Sequence, residues 1–175
     1  TADIRALTST EITALSSDQI VALSSAQVGA LSTAQIAVLN TNQASSIETG
    51  DLAGLNTAAV RAFNTAAINA LTTDQIANLN TLQVNALSTT QVAALNTNEV
   101  AAIETVDLAA MSTAQVAALN TAQAASLSTA QIGVLNTAQV RALTTADTAA
   151  LTTDQIAAMN SAQIGALSTA QVGAL

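Results

Sequence analysis

The sequence predicts an all-α solenoid, a superhelix of short capped helices with one helix in each eight-residue repeat. Three observations predict this fold class. Leucine, or a close substitute, returns every eight residues from Leu7 to Leu175. A second apolar position follows each of these by five residues and is almost always Val, Ile or Leu, as at Val28 and Ile36. Between them lies a repeated helix start, and identical tandem units must solve one packing problem identically.

The helix start is visible in residues 31–39. If Ser32 is the N-cap, Gln35 occupies position N3, which is the capping-box pattern. Leu31 then lies at N′ and Ile36 at N4, the spacing of a hydrophobic staple. These residues define the names used below: the Leu rank (Leu31), the cap rank (Ser32), the N1 rank (Thr33), the N3 rank (Gln35) and the Val/Ile rank (Ile36), each with its equivalents in the other octads.

The capping pattern recurs in nearly every octad. The cap rank is Ser, Thr or Asn except at Glu48 and Glu104, and the N3 rank is mostly Gln but is lost at Ala59 and Ala67. Acidic residues replace Gln in the N3 rank at Asp3, Glu11, Asp51, Glu99, Asp107 and Asp147. Side chains that compete with helical hydrogen bonds belong at caps. Each octad is therefore expected to form a helix of roughly six residues that ends near the leucine.

Two other arrangements fit the pattern less well. In one continuous helix the Leu rank would advance by about 80° per octad, so it would circle the helix instead of facing one core. Strands are disfavoured because Ala and Gln have low β propensity and the two apolar ranks are separated by odd spacings.

Residues 1–175 are expected to form a single tandem array. The octads run unbroken to both ends and residue 1 is not Met, so we expect the chain to be part of a longer array. One octad buries too little apolar surface to offset the entropy of ordering eight residues, so stability must come from neighbouring octads. Small residues before the Leu rank, such as Ala30 and Ala70, allow close approach of successive turns. The sequence leaves open whether two or three octads complete a turn.

Composition argues against an enzyme. The chain contains no His, Cys, Lys, Trp, Tyr or Pro, so it has neither the commonest general base nor thiol chemistry. We expect no catalytic residue, cofactor or metal. The net charge of −8 disfavours nucleic acid and anionic lipid as partners. No apolar run approaches the roughly 20 residues that span a bilayer, so membrane insertion is not expected.

Three sets of polar residues are candidate sites. The first is the N1 rank, which is always Thr or Ser, from Thr1 and Ser9 to Thr169. As a functional site it is a hydroxyl ladder that could order water or ice. As a structural feature, its hydroxyls bond the helix start or the carbonyls of a neighbouring octad, and this interpretation is favoured.

The second and third sets carry charge. The pairs Glu48/Asp51 and Glu104/Asp107 each lie at one helix start, where acids are favoured by the helix dipole. Calcium usually needs six or more oxygen ligands, so the structural interpretation is again favoured. Arg5, Arg61 and Arg141 share a variable position directly after the Val/Ile rank, and isolated surface arginines most simply make weak ion pairs.

Runs such as residues 87–95 and 111–119 resemble the octapeptide tracts of very large proteobacterial secreted or surface proteins of the adhesin type. The resemblance implies an extracellular or cell-surface repeat region that extends or displays other domains, and it implies no active residue. The leading hypothesis is a non-catalytic spacer, stalk or filament segment. The alternatives are a solenoid that binds a protein or peptide, and an ice-binding or surface-water-binding face formed by the N1 rank.

The end octads have no polar capping repeat. The first octad keeps Ile4 and Leu7, and the last keeps Val172 and Leu175. These apolar faces are expected to be open and complementary, so we expect end-to-end self-association into open fibres, suppressed by charged substitutions at Ile4 and Val172. No specific protein partner is indicated.

Overall fold

The computed structural model describes residues 2–175, and the only regular secondary structure in that range is 22 short α helices. No strand occurs among these residues, so the predicted all-α class is confirmed. The helices are α1 (Ala2–Ala6), α2 (Ser9–Ala14), α3 (Ser17–Val21), α4 (Ser25–Val28), α5 (Thr33–Ala37), α6 (Thr41–Ser45), α7 (Thr49–Leu52), α8 (Thr57–Ala62), α9 (Thr65–Ile68), α10 (Thr73–Ala77), α11 (Thr81–Ala86), α12 (Thr89–Ala94), α13 (Thr97–Ala102), α14 (Thr105–Ala110), α15 (Thr113–Val116), α16 (Thr121–Ser126), α17 (Thr129–Val134), α18 (Thr137–Ala142), α19 (Thr145–Ala149), α20 (Thr153–Ala158), α21 (Ser161–Ala166) and α22 (Thr169–Val172).

The predicted caps are present at the starts of these helices. Ser32 is the extended N-cap of α5, its side chain accepts from the Gln35 backbone N–H, and the Gln35 side chain accepts from the Ser32 backbone N–H. From α2 to α22 this capping box is complete except in α7, α8, α9 and α14. Helices α8 and α9 have Ala at N3, whereas α7 and α14 begin after Glu48 and Glu104, which make no side-chain cap bond. The exceptions therefore fall at the octads whose sequence departs from the consensus.

Two successive extended residues turn the chain between helices. At the end of α17, Leu135 has φ −61° and ψ 133°, and its N–H donates to the Ile132 carbonyl. The next residue, Asn136, is the N-cap of α18 with φ −76° and ψ 167°. No described residue has a positive φ. The turn needs no glycine, so almost any residue with a short polar side chain can serve as the next cap.

The chain divides into two compact units, Thr1–Leu95 and Asn96–Leu175. Within the first unit, α5 packs on α8, α6 on α9 and α8 on α11. Within the second, α13 packs on α16, α14 on α17 and α18 on α21. Each unit is thus a solenoid in which the chain returns alongside itself after three octads. The number of octads per turn, left open by the sequence, follows from these contacts.

The core of both units consists of the two apolar ranks. The Val/Ile rank is the more deeply buried, with Ile36 and Leu108 completely inaccessible, and Leu-rank residues such as Leu95 and Leu135 are almost as buried. Ala44, Ala124 and Thr148, the smaller or polar members of the Val/Ile rank, are buried too. Burial of this rank therefore depends on its place in the turn and not on the size of the side chain.

Helices α4 and α7 approach each other more closely than side chains would permit. A Cβ atom added to Gly29 would lie 2.5 Å from the Gly54 carbonyl oxygen, and one added to Gly54 would lie 2.7 Å from the Ser25 carbonyl oxygen. The Ser25 hydroxyl also donates to the Asp51 carboxylate. Asp51 is one methylene shorter than the Gln of most octads, so this bond requires α7 to lie close to α4.

Replacing Gly29 with alanine is expected to lower the free energy of unfolding by about 1–3 kcal/mol, since the new methyl group meets backbone that must move. Gly50, in α7 itself, is the matched control because a Cβ there meets nothing within 4 Å. Gly50→Ala should raise stability by about 0.4–1 kcal/mol. Denaturant unfolding of both variants measures the difference, and equal effects would contradict the close approach.

Candidate functional site: the buried N3 rank and the solvent-facing ranks

The N3 rank is the main polar feature of the interior. Gln139 is 1% exposed, and its Oε1 accepts from the Asn136 backbone N–H at 2.8 Å. Its Nε2 donates to the carbonyl oxygens of Leu108 at 3.0 Å and Met111 at 2.8 Å. These carbonyls lie at the end of α14, where a helix leaves acceptors only partly satisfied: the Leu108 carbonyl accepts also from the Met111 N–H. One side chain therefore caps the start of its own helix and the end of the helix four octads earlier.

The same double cap recurs through both units. In each case Nε2 donates to the carbonyls 31 and 28 residues earlier. In the first unit the donors are Gln35, Gln43, Gln75, Gln83 and Gln91, and in the second they are Gln131, Gln139, Gln155, Gln163 and Gln171. The sequence predicted the local half of this arrangement and missed the contact between turns.

Helix α9 keeps the contact with a different residue. Ala67 occupies N3 there and supplies no donor, but the N-cap, Asn64, donates from Nδ2 to the carbonyls of Ala37 at 3.1 Å and Leu39 at 2.9 Å. The Asn64 Oδ1 still accepts from the Ala67 N–H. The asparagine cap thus replaces the missing glutamine as donor to the earlier turn, whereas the capping box stays incomplete.

Acidic residues in the N3 rank behave differently according to burial. Glu11 is exposed, and hydrogen bonds to its carboxylate from the backbone and then the side chain of Thr8 lower its pKa. Glu99 is buried, and desolvation raises its pKa to about 7 despite the hydrogen bonds from Asn96. The Glu99 Oε1 is buried without a hydrogen-bond partner.

The N1 rank faces solvent. Thr33, Thr65 and Thr137 are exposed, and their hydroxyls donate to no carbonyl of the chain. Ser25 differs, because its hydroxyl donates to the Asp51 carboxylate. The favoured structural interpretation, in which these hydroxyls bond the helix start or the carbonyls of a neighbouring octad, is therefore wrong for the three threonines: the N3 side chains and the Leu-rank amides already occupy the carbonyls at the helix ends.

The two acidic pairs are each divided between surface and interior. Asp51 is buried and accepts from Ser25, whereas Glu48 is exposed and makes no cap hydrogen bond. Asp107 is likewise buried and Glu104 exposed. Among residues 2–175 no group of three or more His, Cys, Asp or Glu side chains is arranged to hold a metal ion.

The three arginines bind backbone and not carboxylates. The Nε of Arg5 donates to the Ala30 carbonyl at 3.0 Å, that of Arg61 to Ala86 at 3.2 Å, and that of Arg141 to Ala166 at 3.3 Å. The ion pairs expected from the sequence are replaced by these bonds because each guanidinium lies beside the end of the helix three octads later. Asn69, at the same octad position, donates in the same way to the Ala94 carbonyl.

Shallow open grooves accompany all three arginines. Arg61 lies in a groove with Leu82 and Asn85, between α8 and α11, and Leu82 is 71% exposed. The grooves at Arg5 and Arg141 are lined otherwise by Ala, Gly and Thr. These grooves follow from the small residues at the contact between turns, and none has a set of converging polar groups.

The two ends of the described chain expose different ranks. In the first helices Ile4, Ile12 and Ile20 are buried, whereas the N3 residue Gln19 is exposed and its Nε2 bonds no carbonyl. The expectation of an open face at Ile4 is therefore wrong: later helices cover the Val/Ile rank of the first turn. At the other end the N3 glutamines are buried, but Val172 is 53% exposed. The N3 rank faces the preceding turn, and the following turn covers the Val/Ile rank.

The fold and its ranks define a class of protein, the tandem octapeptide repeat that folds as a solenoid of capped helices. The family model named ALTTAQ repeat matches residues 1–33, 44–81, 100–137 and 132–161, which together make up most of the chain. The chain belongs to the ALTTAQ repeat family. The six letters correspond to consecutive octad positions from the residue before the Leu rank to the N3 rank, as in residues 142–147, where Asp147 stands in place of the final Gln. Comparison with curated proteins and with solved structures finds no match.

None of the described helices combines the length and the hydrophobicity needed to cross a lipid bilayer.

Proposed function

We propose that this chain is a non-catalytic structural repeat module that serves as a spacer, stalk or filament segment of a bacterial extracellular or surface protein. The cellular setting is inferred from the resemblance of its octads to tracts in large proteobacterial surface proteins. The mechanical role has separate support from the packing of the octads.

The proposal rests on the hydrogen bonds that the polar side chains make to backbone carbonyls. Glutamines of the N3 rank, Asn64, Asn69 and the arginines bind backbone carbonyls of other turns within each unit. These groups are committed to the scaffold and not to a ligand. Because each octad repeats the same contacts with its neighbours, octads can be added or lost without change to the plan, which suits a spacer of variable length.

Insertion of whole turns tests this role. Extra copies of residues 112–135, three octads in phase, are placed after Leu135, and the maximum dimension is measured by small-angle X-ray scattering. A spacer should lengthen by a constant increment with each copy. A flexible Gly/Ser insert of the same length serves as the control. A radius of gyration that grows only as a compact domain would, roughly with the 0.38 power of length, would refute the proposal.

The exposed threonines of the N1 rank favour one second candidate function, the ordering of water or ice. Thr33, Thr65 and Thr137 have free hydroxyls that face solvent. Thermal hysteresis and ice shaping by the protein, abolished when these three residues become lysine, would support this function. Absence of both effects in the unsubstituted protein would eliminate it.

We also infer that a polypeptide of these 175 residues associates end to end. The exposed Val172 is the kind of residue that the next turn covers, and the exposed Gln19 has a free Nε2 of the kind that caps a preceding turn. The two faces are complementary, and contacts of this type do not close into a dimer, so they form open fibres.

Val172→Asp should suppress concentration-dependent association in sedimentation velocity experiments. Leu82→Asp is the matched control because it introduces the same charge at a residue that is even more exposed but lies on the side of a turn. Association that survives Val172→Asp, or a strict monomer at high concentration, would contradict the inference.

A further inference from the structure

Glu99 is the one buried acidic residue of the N3 rank whose second carboxyl oxygen has no partner among the described residues. We propose that Glu99 is a proton-dependent switch: the neutral side chain is accommodated in the interior, and ionisation, which places an unpaired charge there, destabilises the fold around α13.

The hydrogen bonds of Glu99 use only one of its two carboxyl oxygens. Its backbone N–H donates to the Asn96 Oδ1 at 3.0 Å, and its Oε2 accepts from the Asn96 N–H at 2.7 Å, so the capping box is complete. The Oε1 atom is buried and has no hydrogen-bond partner among the described residues. The ionised form therefore places negative charge on an oxygen that no donor solvates, and protonation removes that charge.

No other charged residue lies on the helix of Glu99 or on the helix of the same unit that packs against it. Glu99 is the only charged residue between Asp74 and Glu104 in the sequence. Helix α13 has no other titratable residue, and neither has α16, which packs on it. Burial of an unpaired carboxylate is costly unless the group becomes neutral. The raised pKa of Glu99, to about 7, has the same cause.

The direction of the pH effect follows from this raised pKa. The folded chain binds the Glu99 proton more tightly than the unfolded chain, in which the pKa is near 4.5. The stabilising contribution is complete below about pH 4.5, is lost as the pH rises towards 7, and changes no further above that. The switch thus loosens the array as the medium becomes neutral or alkaline.

Comparison of the wild-type protein with Glu99→Gln tests the switch. The variant restores the consensus residue, carries no charge and does not titrate. The ratio of the wild-type unfolding equilibrium constant to that of the variant should rise by up to about tenfold per pH unit between pH 4.5 and 7. Above pH 7 this ratio should stay constant. Glu11→Gln is the matched control at an exposed N3 position. Because the pKa of Glu11 is lowered, the stabilising contribution of its carboxylate is lost only at lower pH. The free energies of unfolding of this variant and of the wild type should therefore differ by a constant amount from pH 5 to 9.

A direct measurement keeps the test independent of stability. The side-chain carboxyl carbon of Glu99 is followed by NMR in the intact wild-type chain between pH 3 and 9. A titration midpoint near neutral pH supports the switch. A midpoint near that of an ordinary glutamate, or wild-type and Glu99→Gln stabilities that stay parallel between pH 5 and 7, overturns it.

Discussion

Replacing Gln139 with leucine is expected to lower the free energy of unfolding by about 2–4 kcal/mol. The substitution removes the acceptor of the capping box and the donor to Leu108 and Met111, all at a site that is 1% exposed. The Leu108 carbonyl keeps the Met111 N–H as a donor, whereas the Asn136 N–H and the Met111 carbonyl lose the partner that Gln139 gives them. Leaving a buried backbone group without a partner typically costs about 1–3 kcal/mol, and a leucine of similar size recovers only part of this by its apolar burial. Denaturant unfolding measures the loss.

Gln19 supplies the control for this prediction. It forms the same capping box with Ser16, but its Nε2 bonds no carbonyl and its side chain is exposed. Gln19→Leu should therefore cost no more than the loss of a cap, about 0.5–1 kcal/mol. If the two substitutions were equally destabilising, the contact between turns would contribute nothing and only the local cap would matter.

Deleting half an octad is expected to be far more damaging than deleting a whole one. Removal of residues 128–135 leaves the later octads in phase, so Gln139 takes the place of Gln131 and reaches the carbonyls of Val100 and Ile103. This variant should lose only about one octad's share, roughly 1–3 kcal/mol. Removal of residues 132–135 shifts every later N3 residue by four positions, and all the contacts between turns that follow are lost.

The half-octad variant should lose on the order of 5–10 kcal/mol, since four glutamines with two such bonds each no longer meet their carbonyls. That loss is comparable to the whole stability of a typical domain. Circular dichroism and thermal unfolding of the two variants, with the wild type as reference, check the prediction. Similar melting curves for both deletions would show that stacking does not depend on octad phase.

The helices and their caps could be predicted because they are determined locally. The capping box links residues three apart, as Ser32 and Gln35 are, and the hydrophobic staple links residues five apart, so both are visible within one octad. The return of the chain after three octads could not be predicted in this way. It depends on the angle between successive helices, which two extended residues such as Leu135 and Asn136 set.

The second role of the N3 rank was missed although the sequence contained a signal for it. Glutamate caps a helix start as well as glutamine does, and it is also favoured by the helix dipole. The rank nevertheless has glutamine at 14 of its 22 positions and glutamate at only two, which indicates that the amide nitrogen is in use. The arginines were misjudged for a similar reason: Arg5 was assigned to a variable, exposed position, and only the fold places it beside the Ala30 carbonyl.

The backward reach of the N3 glutamines affects how such a chain is made. Gln139 bonds carbonyls that were synthesised 28 and 31 residues before it. When an octad leaves the ribosome, the acceptors for its glutamine have already emerged. The hydrogen bonds of that glutamine can therefore form at once, and only the burial of the Val/Ile rank waits for the following turn. Such a chain can fold in the order in which it appears, and the unfolded portion need never exceed the last few octads.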